Sequence, residues 1–196
     1  MKVKYKVIKN FFSKEICQFV SGYLLLKRNQ TKFYKEVKYI SPYDTDYGGW
    51  EDPQAMGSYS LYGDLATETL LQLAKSRIEK ISKTKLYPTY SYCRIYEKSS
   101  FLKEHIDRDE CSVSATLFLG GDKWPIFLLK NNKKIKIDLN YGDLLLYKGN
   151  EIPHYRNTFL GNTCIQVFLH YADKEELKYD KRPHLGTSLF FSGYGK

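Results

Sequence analysis

The first half of the chain contains two stretches in which apolar residues recur at helical spacing. The first covers about residues 13–27, where Ser13 is suited to cap the helix start, and its apolar positions are Ile16, Phe19, Val20, Tyr23 and Leu24. The second covers about residues 65–82, directly after Asp64, another residue that caps helices well. Pro88 then interrupts the pattern. These stretches predict two amphipathic helices.

The segment between the predicted helices has a different texture. Residues 29–63 are polar and aromatic with several glycines and prolines, which predicts loops with short strands. Within it, residues 39–63 read as one long surface loop. Loops of this length are often functional lids, but a plain insertion fits the pattern equally well.

From Thr89 onward the apolar pattern changes to short runs, several of them alternating, which turn residues separate. Seven such runs predict strands: TYSYCRIYE, CSVSATLFLGG, WPIFLLK, KKIKIDL, GDLLLYKG, IPHYRNTF and NTCIQVFLHYAD. Closely spaced short strands are typical of a sandwich or barrel. Helices in front of strands predict an α+β fold with the helices packed on the sheet.

Length and composition set the limits of this fold. With 196 residues and 42% hydrophobic composition, the chain fits a single domain over 1–196. We expect a helical part over about 1–88, a strand-rich core over about 89–173 and an irregular arm over 174–196. The sequence contains no apolar run that spans a bilayer and no secretory signal pattern. Four scattered cysteines suggest buried thiols in a reducing cytoplasm.

Charge widens the range of partners. The net charge of +9 favours anionic partners, including nucleic acid, but lysines spread along the surface give the same value. The densest cluster is KNNKKIK. The 18 tyrosines could stack on single strands, although tyrosine is also a good strand former. We therefore expect that the basic surface is not a nucleic-acid site.

The candidate chemistry lies in YEKSSFLKEHIDRDE. His105 and Asp107 are separated by one residue, so at a strand end their side chains can point the same way. His154 follows the GDLLLY run at the start of a later strand. Two histidines and one carboxylate with open positions opposite form the facial triad of non-heme iron(II) oxygenases. A surface location of both histidines is the alternative.

Three further residues could take part in such a site. His170, in QVFLHY, could compete with His154 as a ligand, although a lone inward histidine is more often hydrogen-bonded in the core. His184 reads as a surface residue. Arg108 could reach a substrate or lie in a solvated charged turn.

The chain resembles the 2-oxoglutarate- and Fe(II)-dependent oxygenases on their prolyl-hydroxylase-like branch. The resemblance covers Thr89 to Asp173 and rests on YEKSSFLKEHIDRD, SATLFLGGDKW and GDLLLYKGNEIPHYRNTFLGNTCIQVFLHYAD. It implies a double-stranded β-helix, which is a variant of the jelly roll. It also implies that His105, Asp107 and His154 bind iron and that Tyr96 lies in the cosubstrate pocket.

One position departs from the family pattern. The family usually has an Arg or Lys nine or ten residues after the distal histidine, to pair with the 5-carboxylate of 2-oxoglutarate. Here those positions are Thr163 and Cys164. Arg156 is our first candidate to replace that cation because it lies two residues past His154 and faces the same way. Arg94 is the second candidate.

These features predict an Fe(II)- and 2-oxoglutarate-dependent dioxygenase that uses O₂ to hydroxylate a C–H bond. The branch favours a peptidyl or amino-acid side chain as the substrate. Two alternatives remain: oxidation or demethylation of a nucleic-acid base by the same chemistry, and a cupin-like jelly roll that holds a metal or small acid without turnover.

Overall fold

The computed structural model describes residues 4–44, 46–131 and 133–174, and these contain ten strands and two long helices. In chain order the elements are β1 (Tyr5–Ile8), α1 (Lys14–Glu36), β2 (Tyr59–Tyr62), α2 (Leu65–Ser82), β3 (Tyr87–Glu97), β4 (Leu102–His105), β5 (Val113–Gly121), β6 (Ile126–Lys130), β7 (Lys133–Ile137), β8 (Leu144–Tyr147), β9 (His154–Arg156) and β10 (Thr163–Ala172). A single 3₁₀ turn over Asp109–Cys111 links β4 to β5.

The strands form two antiparallel sheets. The larger sheet has the order β1-β8-β5-β10-β3-β2, and the smaller one has the order β4-β9-β6-β7. Apolar side chains from both sheets form one core between them, including Tyr96, Phe118, Leu128 and Phe168. Two packed sheets with helices on one side confirm the predicted α+β jelly roll.

Both helices cover the outer face of the larger sheet. Leu24 of α1 and Leu71 of α2 share a second core with Val167 and Leu169 of β10. Phe168, between these two residues, points to the opposite face and joins the core between the sheets. Because both faces of β10 are covered, the strand needs apolar residues at nearly every position. This explains the nearly continuous apolar run that the sequence shows there.

The helix starts agree with the sequence. The Ser13 hydroxyl accepts from the Ile16 N–H at 3.4 Å, and Asp64 Oδ1 accepts from the Ala66 N–H at 2.9 Å. The predicted bounds of α2 are confirmed.

The predicted end of α1 is wrong, because the helix continues through residues 29–36, where we expected a loop. This part contains neither Gly nor Pro, Tyr34 packs on the rings of Tyr39 and Tyr47, and polar contacts add to this packing. Thr31 is buried, and its hydroxyl donates to the Tyr47 carbonyl at 2.7 Å. Arg28, one turn earlier, pairs with Glu97 at 3.0 Å. A search for apolar periodicity cannot detect the hydrogen bond of Thr31 or the ion pair of Arg28, which help to hold this end of the helix.

The prediction of one surface loop over 39–63 is wrong at its C-terminal end, because Tyr59–Tyr62 form β2, which pairs with β3 and is mostly buried. The prediction of short strands within 29–63 is confirmed. Whether the remainder is a lid stays a hypothesis. All four cysteines are buried and free. Among the described residues, neither helix has the length and hydropathy of a membrane span. The predicted arm lies outside the described residues from position 175 onward.

Candidate metal centre

Two histidines face each other across neighbouring strands. His105 ends β4, His154 begins β9, and the two are direct partners in the antiparallel register. Their ring centroids are 4.3 Å apart. Cross-strand partners have side chains on the same face of a sheet, so the pairing directs both imidazoles to one point.

Asp107 completes the group from just beyond the end of β4. Its N–H donates to the Gly149 carbonyl at 2.9 Å, which fixes the turn that aims the carboxylate. Oδ1 lies 3.7 Å from His105 Nε2 and 3.6 Å from His154 Nε2. One ligand atom from each residue lies within 4.8 Å of the other two. The structure therefore brings together the three residues that the sequence singled out.

Hydrogen bonds hold the three side chains in position. His105 Nδ1 lies 2.8 Å from the Lys103 carbonyl, and His154 Nδ1 lies 2.9 Å from the Ile152 carbonyl. A carbonyl only accepts, so each Nδ1 carries the proton and each Nε2 presents its lone pair. The Ser114 hydroxyl donates to Asp107 Oδ2 at 2.6 Å, which leaves Oδ1 facing the histidines. Such outer partners orient metal ligands in proteins.

The electrostatics favour the ligating protonation states of His154 and Asp107. Burial lowers the pKa of His154 and thus favours the neutral imidazole, although Asp107 acts in the opposite direction. For Asp107, burial acts to raise the pKa. The neighbouring His154 and His170 and the hydrogen bond from Ser114 outweigh burial, so the pKa lies below its ordinary value. A neutral imidazole and an ionised carboxylate are the forms that bind divalent metals.

The three residues open into a cavity of about 380 Å³. One wall is aromatic and includes Tyr90, Tyr92 and Phe168. Asp52 and Tyr92 also line a second cavity, of about 370 Å³, to which residues 42–44 and 48–49 of the long loop contribute. The two cavities therefore adjoin at Asp52 and Tyr92.

Arg94 lines the first cavity, but its guanidinium is already engaged. Its Nε donates to Asp52 Oδ2 at 2.7 Å, and Nη2 lies 2.6 Å from the same oxygen in an ion pair. Nη2 also donates to Gln54 at 2.8 Å, and Nη1 to the Tyr96 hydroxyl at 3.3 Å. The ion pair with Asp52 is almost fully buried. It connects β3 to the long loop and leaves Arg94 little capacity for another carboxylate.

The guanidinium of Arg156, unlike that of Arg94, has nitrogens without a hydrogen-bond partner among the described residues. Arg156 is 2% exposed, its Nη1 donates to the Trp124 carbonyl, and its guanidinium lies 5.1 Å from the Trp124 ring centre. Nε and Nη2 have no hydrogen-bond partner among the described residues. Burying unpaired guanidinium donors is costly, so the site favours an anion. Arg156 does not itself line the cavity that the structure describes.

The positions at which the resembled family carries a cation are Thr163 and Cys164, at the start of β10. Cys164 is fully buried opposite Tyr96 on β3. Burial raises the pKa of the Cys164 thiol, and the charge of Arg156 acts against this rise. Tyr96 is also fully buried and packs edge-on against Trp124, 4.9 Å between ring centres.

The other candidates have different positions. His170 lines the cavity, with Nδ1 3.0 Å from the Ser114 hydroxyl, and is not part of the three-residue group. Arg108 lines the cavity too, with its guanidinium 4.8 Å from the Tyr90 ring centre. His184 lies outside the described residues.

Three residues that contact the candidate site residues escaped the sequence analysis: Ser114, Gly149 and Asp52. A Cβ on Gly149 would collide with the Asp107 carboxylate and the Ser114 hydroxyl, so only glycine allows this close approach. Gly149 was visible only as a turn residue. Nothing in the sequence links Ser114 to Asp107 or Asp52 to Arg94, because these contacts depend on the fold.

No family model and no curated protein sequence matches the chain. Among solved structures, it is similar to a prolyl-4-hydroxylase from Pseudomonas putida, with 12% identity over 87% of this chain and 93% of the other, at a TM-score of 0.66. A prolyl hydroxylase from Trichoplax adhaerens, in complex with a hypoxia inducible factor peptide fragment, has 18% identity over 89% and 86% of the two chains, at a TM-score of 0.64.

A third structure, HygX from Streptomyces hygroscopicus with nickel and 2-oxoglutarate bound, has 12% identity over 88% of this chain and 84% of the other, at a TM-score of 0.61. Identities this low establish the fold rather than the activity. The chain has the double-stranded β-helix fold of the 2-oxoglutarate- and Fe(II)-dependent oxygenases.

Proposed function

We propose that the protein is an Fe(II)- and 2-oxoglutarate-dependent dioxygenase. The observation that carries the proposal is the convergence of His105 Nε2, Asp107 Oδ1 and His154 Nε2 within 4.8 Å of one another. Two imidazoles and one carboxylate suit Fe(II) and leave coordination positions open on the cavity side. Their hydrogen bonds fix the ligand atoms in advance, as metal ligation requires.

The protein residues would bind and orient the reactants. When bound, iron and 2-oxoglutarate would supply the oxidising chemistry, with O₂ as oxidant and succinate and CO₂ as coproducts. The backbone carbonyls of Lys103 and Ile152 keep the two histidines in the ligating tautomer. Ser114 holds the second oxygen of Asp107 away from the cavity.

Arg156 is the proposed partner of the 5-carboxylate of 2-oxoglutarate. Two of its nitrogens are unpartnered in a buried position, whereas Arg94 is held by Asp52. The charge of Arg156 also acts on the Cys164 thiol, at one of the two positions where the resembled family carries a cation. A planar guanidinium can bind a carboxylate through two parallel hydrogen bonds.

A peptidyl or amino-acid side chain is the proposed primary substrate. The two cavities that adjoin at Asp52 and Tyr92 would offer space for one residue of a peptide at the metal and for its neighbours beside Tyr92. The Trichoplax structure contains a peptide fragment.

Base oxidation and a non-catalytic, cupin-like role are the competing functions. Four buried free thiols are compatible with a reducing cytoplasm.

Calorimetric titration of nickel(II) into the metal-free chain, without O₂, tests the site. We expect one metal per chain, and 2-oxoglutarate binding that requires the metal. His105→Ala should lose the metal, whereas His170→Gln, beside the site but outside the ligand group, should retain it. Unchanged nickel affinity in His105→Ala would refute the assignment.

A further inference from the structure

The larger sheet supplies two hydroxyl groups to the candidate metal centre. Ser114 of β5 and Tyr147 of β8 are direct partners in the antiparallel register, so their side chains lie on the same face of the sheet. The Ser114 hydroxyl contacts the Asp107 carboxylate at 2.6 Å, and the Tyr147 hydroxyl lies 3.2 Å from His154 Nε2. Each hydroxyl therefore contacts a different residue of the three-residue group.

The Tyr147 hydroxyl is the donor in its contact with His154. The Ile152 carbonyl keeps the proton of this imidazole on Nδ1, so Nε2 has a lone pair and no hydrogen. A phenol can engage that lone pair only by donating its own hydrogen. Tyr147 is 1% exposed and lines the cavity into which the three-residue group opens. Its hydroxyl is therefore buried beside the ligand atoms.

The two hydroxyls differ in whether they can stay in place when a metal binds. Ser114 donates to Asp107 Oδ2, whereas Oδ1 is the oxygen that lies near both histidines. Tyr147 donates to His154 Nε2, which is itself the ligand atom. One lone pair cannot serve a hydrogen and a metal at once, so Tyr147 must release Nε2. A buried hydroxyl without an acceptor is costly, so Tyr147 then needs a new acceptor.

We propose that the released Tyr147 hydroxyl donates to the 2-oxo acid group of 2-oxoglutarate and so positions the cosubstrate. The inference rests on the proposed function, in which Arg156 takes the 5-carboxylate and leaves the 2-oxo acid group as the end that faces the metal ligands. The charge of Arg156 acts on the pKa of both Tyr147 and His154, so the phenol is within electrostatic reach of both ends of this site. An ionised carboxylate is also a stronger acceptor than a neutral imidazole.

The ring of Tyr147 also has a packing role, which can be separated from that of its hydroxyl. The ring belongs to the core between the sheets and lies edge-on to the His154 ring, 4.9 Å between ring centres. Tyr147→Phe keeps this packing and removes only the hydroxyl. A purely structural role of Tyr147 predicts that this variant binds 2-oxo acids like the wild type.

Calorimetric titration of the nickel-loaded full chain, without O₂, tests the proposal with two ligands: 2-oxoglutarate and 2-oxobutyrate, which lacks the 5-carboxylate. Tyr147→Phe should raise the Kd of both ligands about tenfold, because both carry the 2-oxo acid group. Arg156→Ala should weaken the binding of 2-oxoglutarate and leave that of 2-oxobutyrate unchanged. Tyr141→Phe, at a residue that is 40% exposed and outside the cavity, is the matched control and should behave like the wild type.

Nickel(II) binding without a cosubstrate separates this inference from the proposed function. Tyr147→Phe should bind nickel at least as tightly as the wild type, because no hydroxyl then competes for His154 Nε2. Normal nickel binding with wild-type affinity for both 2-oxo acids overturns the inference and leaves the metal site standing. Weaker binding of 2-oxoglutarate alone, or loss of nickel from Tyr147→Phe, overturns it too, since the hydroxyl would then serve the 5-carboxylate or the ligand group. A wild type that binds no nickel refutes the proposed function itself.

Discussion

His105 and His154 are direct partners across two antiparallel strands, and their imidazole centres lie 4.3 Å apart. The separation is set by backbone hydrogen bonding between β4 and β9 rather than by loops. Both Nδ1 atoms are held by carbonyls two residues earlier in the chain. The pair is therefore arranged before any metal binds, and Asp107 needs only a short turn to join it.

Asp107→Ala should abolish nickel(II) binding and leave the fold intact. Asp107 supplies the only carboxylate of the three-residue group, and even the loss of an outer partner of a metal ligand costs about 10–100-fold in affinity. Calorimetry measures the affinity, and far-ultraviolet circular dichroism checks the fold. If the variant keeps wild-type affinity, Asp107 is not a ligand.

Gly149→Ala should weaken metal binding without touching a ligand. The new methyl group would collide with the Asp107 carboxylate and the Ser114 hydroxyl, so the carboxylate must move. We expect a loss of about 10–100-fold in nickel(II) affinity, as for other disturbances of outer partners. Gly22→Ala is the matched control, because its Cβ meets nothing in the chain. Equal affinities in the two variants would contradict the role of Gly149.

Arg156→Ala should raise the KM for 2-oxoglutarate about 10- to 100-fold, since a charge-assisted hydrogen bond contributes about 1.5–3 kcal/mol. Arg156→Lys should restore part of the loss. The sharper readout is selectivity: the wild type should prefer 2-oxoglutarate strongly over 2-oxobutyrate, which lacks the 5-carboxylate, and Arg156→Ala should lose that preference. If Arg156→Ala kept the preference for 2-oxoglutarate, another cation would bind the 5-carboxylate, and Arg94 is the second candidate.

Asp52 should stabilise the protein at neutral pH and not in acid. Burial acts to raise its pKa, but Arg94 and the Tyr92 hydroxyl outweigh burial, so the folded pKa lies below the ordinary value. Its contribution is therefore complete above the unfolded value of about 3.9 and is lost as the pH falls through the folded pKa.

Urea unfolding of the wild type and Asp52→Asn measures this contribution. We expect a difference of about 3 kcal/mol at pH 7, because the substitution leaves a buried guanidinium without its counter-charge. The difference should shrink below about pH 4. A difference independent of pH would mean that the carboxylate charge is not what stabilises the loop.

The basic surface should bind single-stranded oligonucleotides weakly. Lys134 lies over the rings of Phe127 and Tyr155, and Lys136 pairs with Asp138, so part of the densest cluster is already engaged. Binding across a range of salt concentrations tests this, because each phosphate contact contributes a slope of about −0.7 for single strands. Tight, steeply salt-dependent binding that iron and 2-oxoglutarate strengthen would favour base oxidation.

Local patterns in the sequence predicted much of the fold. The helix caps at Ser13 and Asp64 and the seven strand segments after Thr89 depend on residues close in the chain, and the structure contains them. The continuation of α1 to Glu36 depends on contacts with Tyr47 and Glu97. Such contacts leave no periodic signal, so the sequence alone could not reveal them.

At the candidate site, too, the sequence revealed what depends on residue type and order but not what depends on contacts between distant residues. His105, Asp107 and His154 could be singled out because their types and order suit metal binding. Arg94 seemed available for a carboxylate until the structure showed its ion pair with Asp52. Whether a buried cation is satisfied is decided by residues distant in sequence.

The central claim is that this site turns over 2-oxoglutarate. The most direct measurement is nuclear magnetic resonance of carbon-13-labelled 2-oxoglutarate incubated with the chain, Fe(II) and O₂. Succinate should form with the wild type, should require all three additions and should be absent with His154→Ala. A correctly folded, iron-loaded wild type that yields no succinate with any peptide or small-molecule substrate offered, or equal succinate from His154→Ala, would contradict the account.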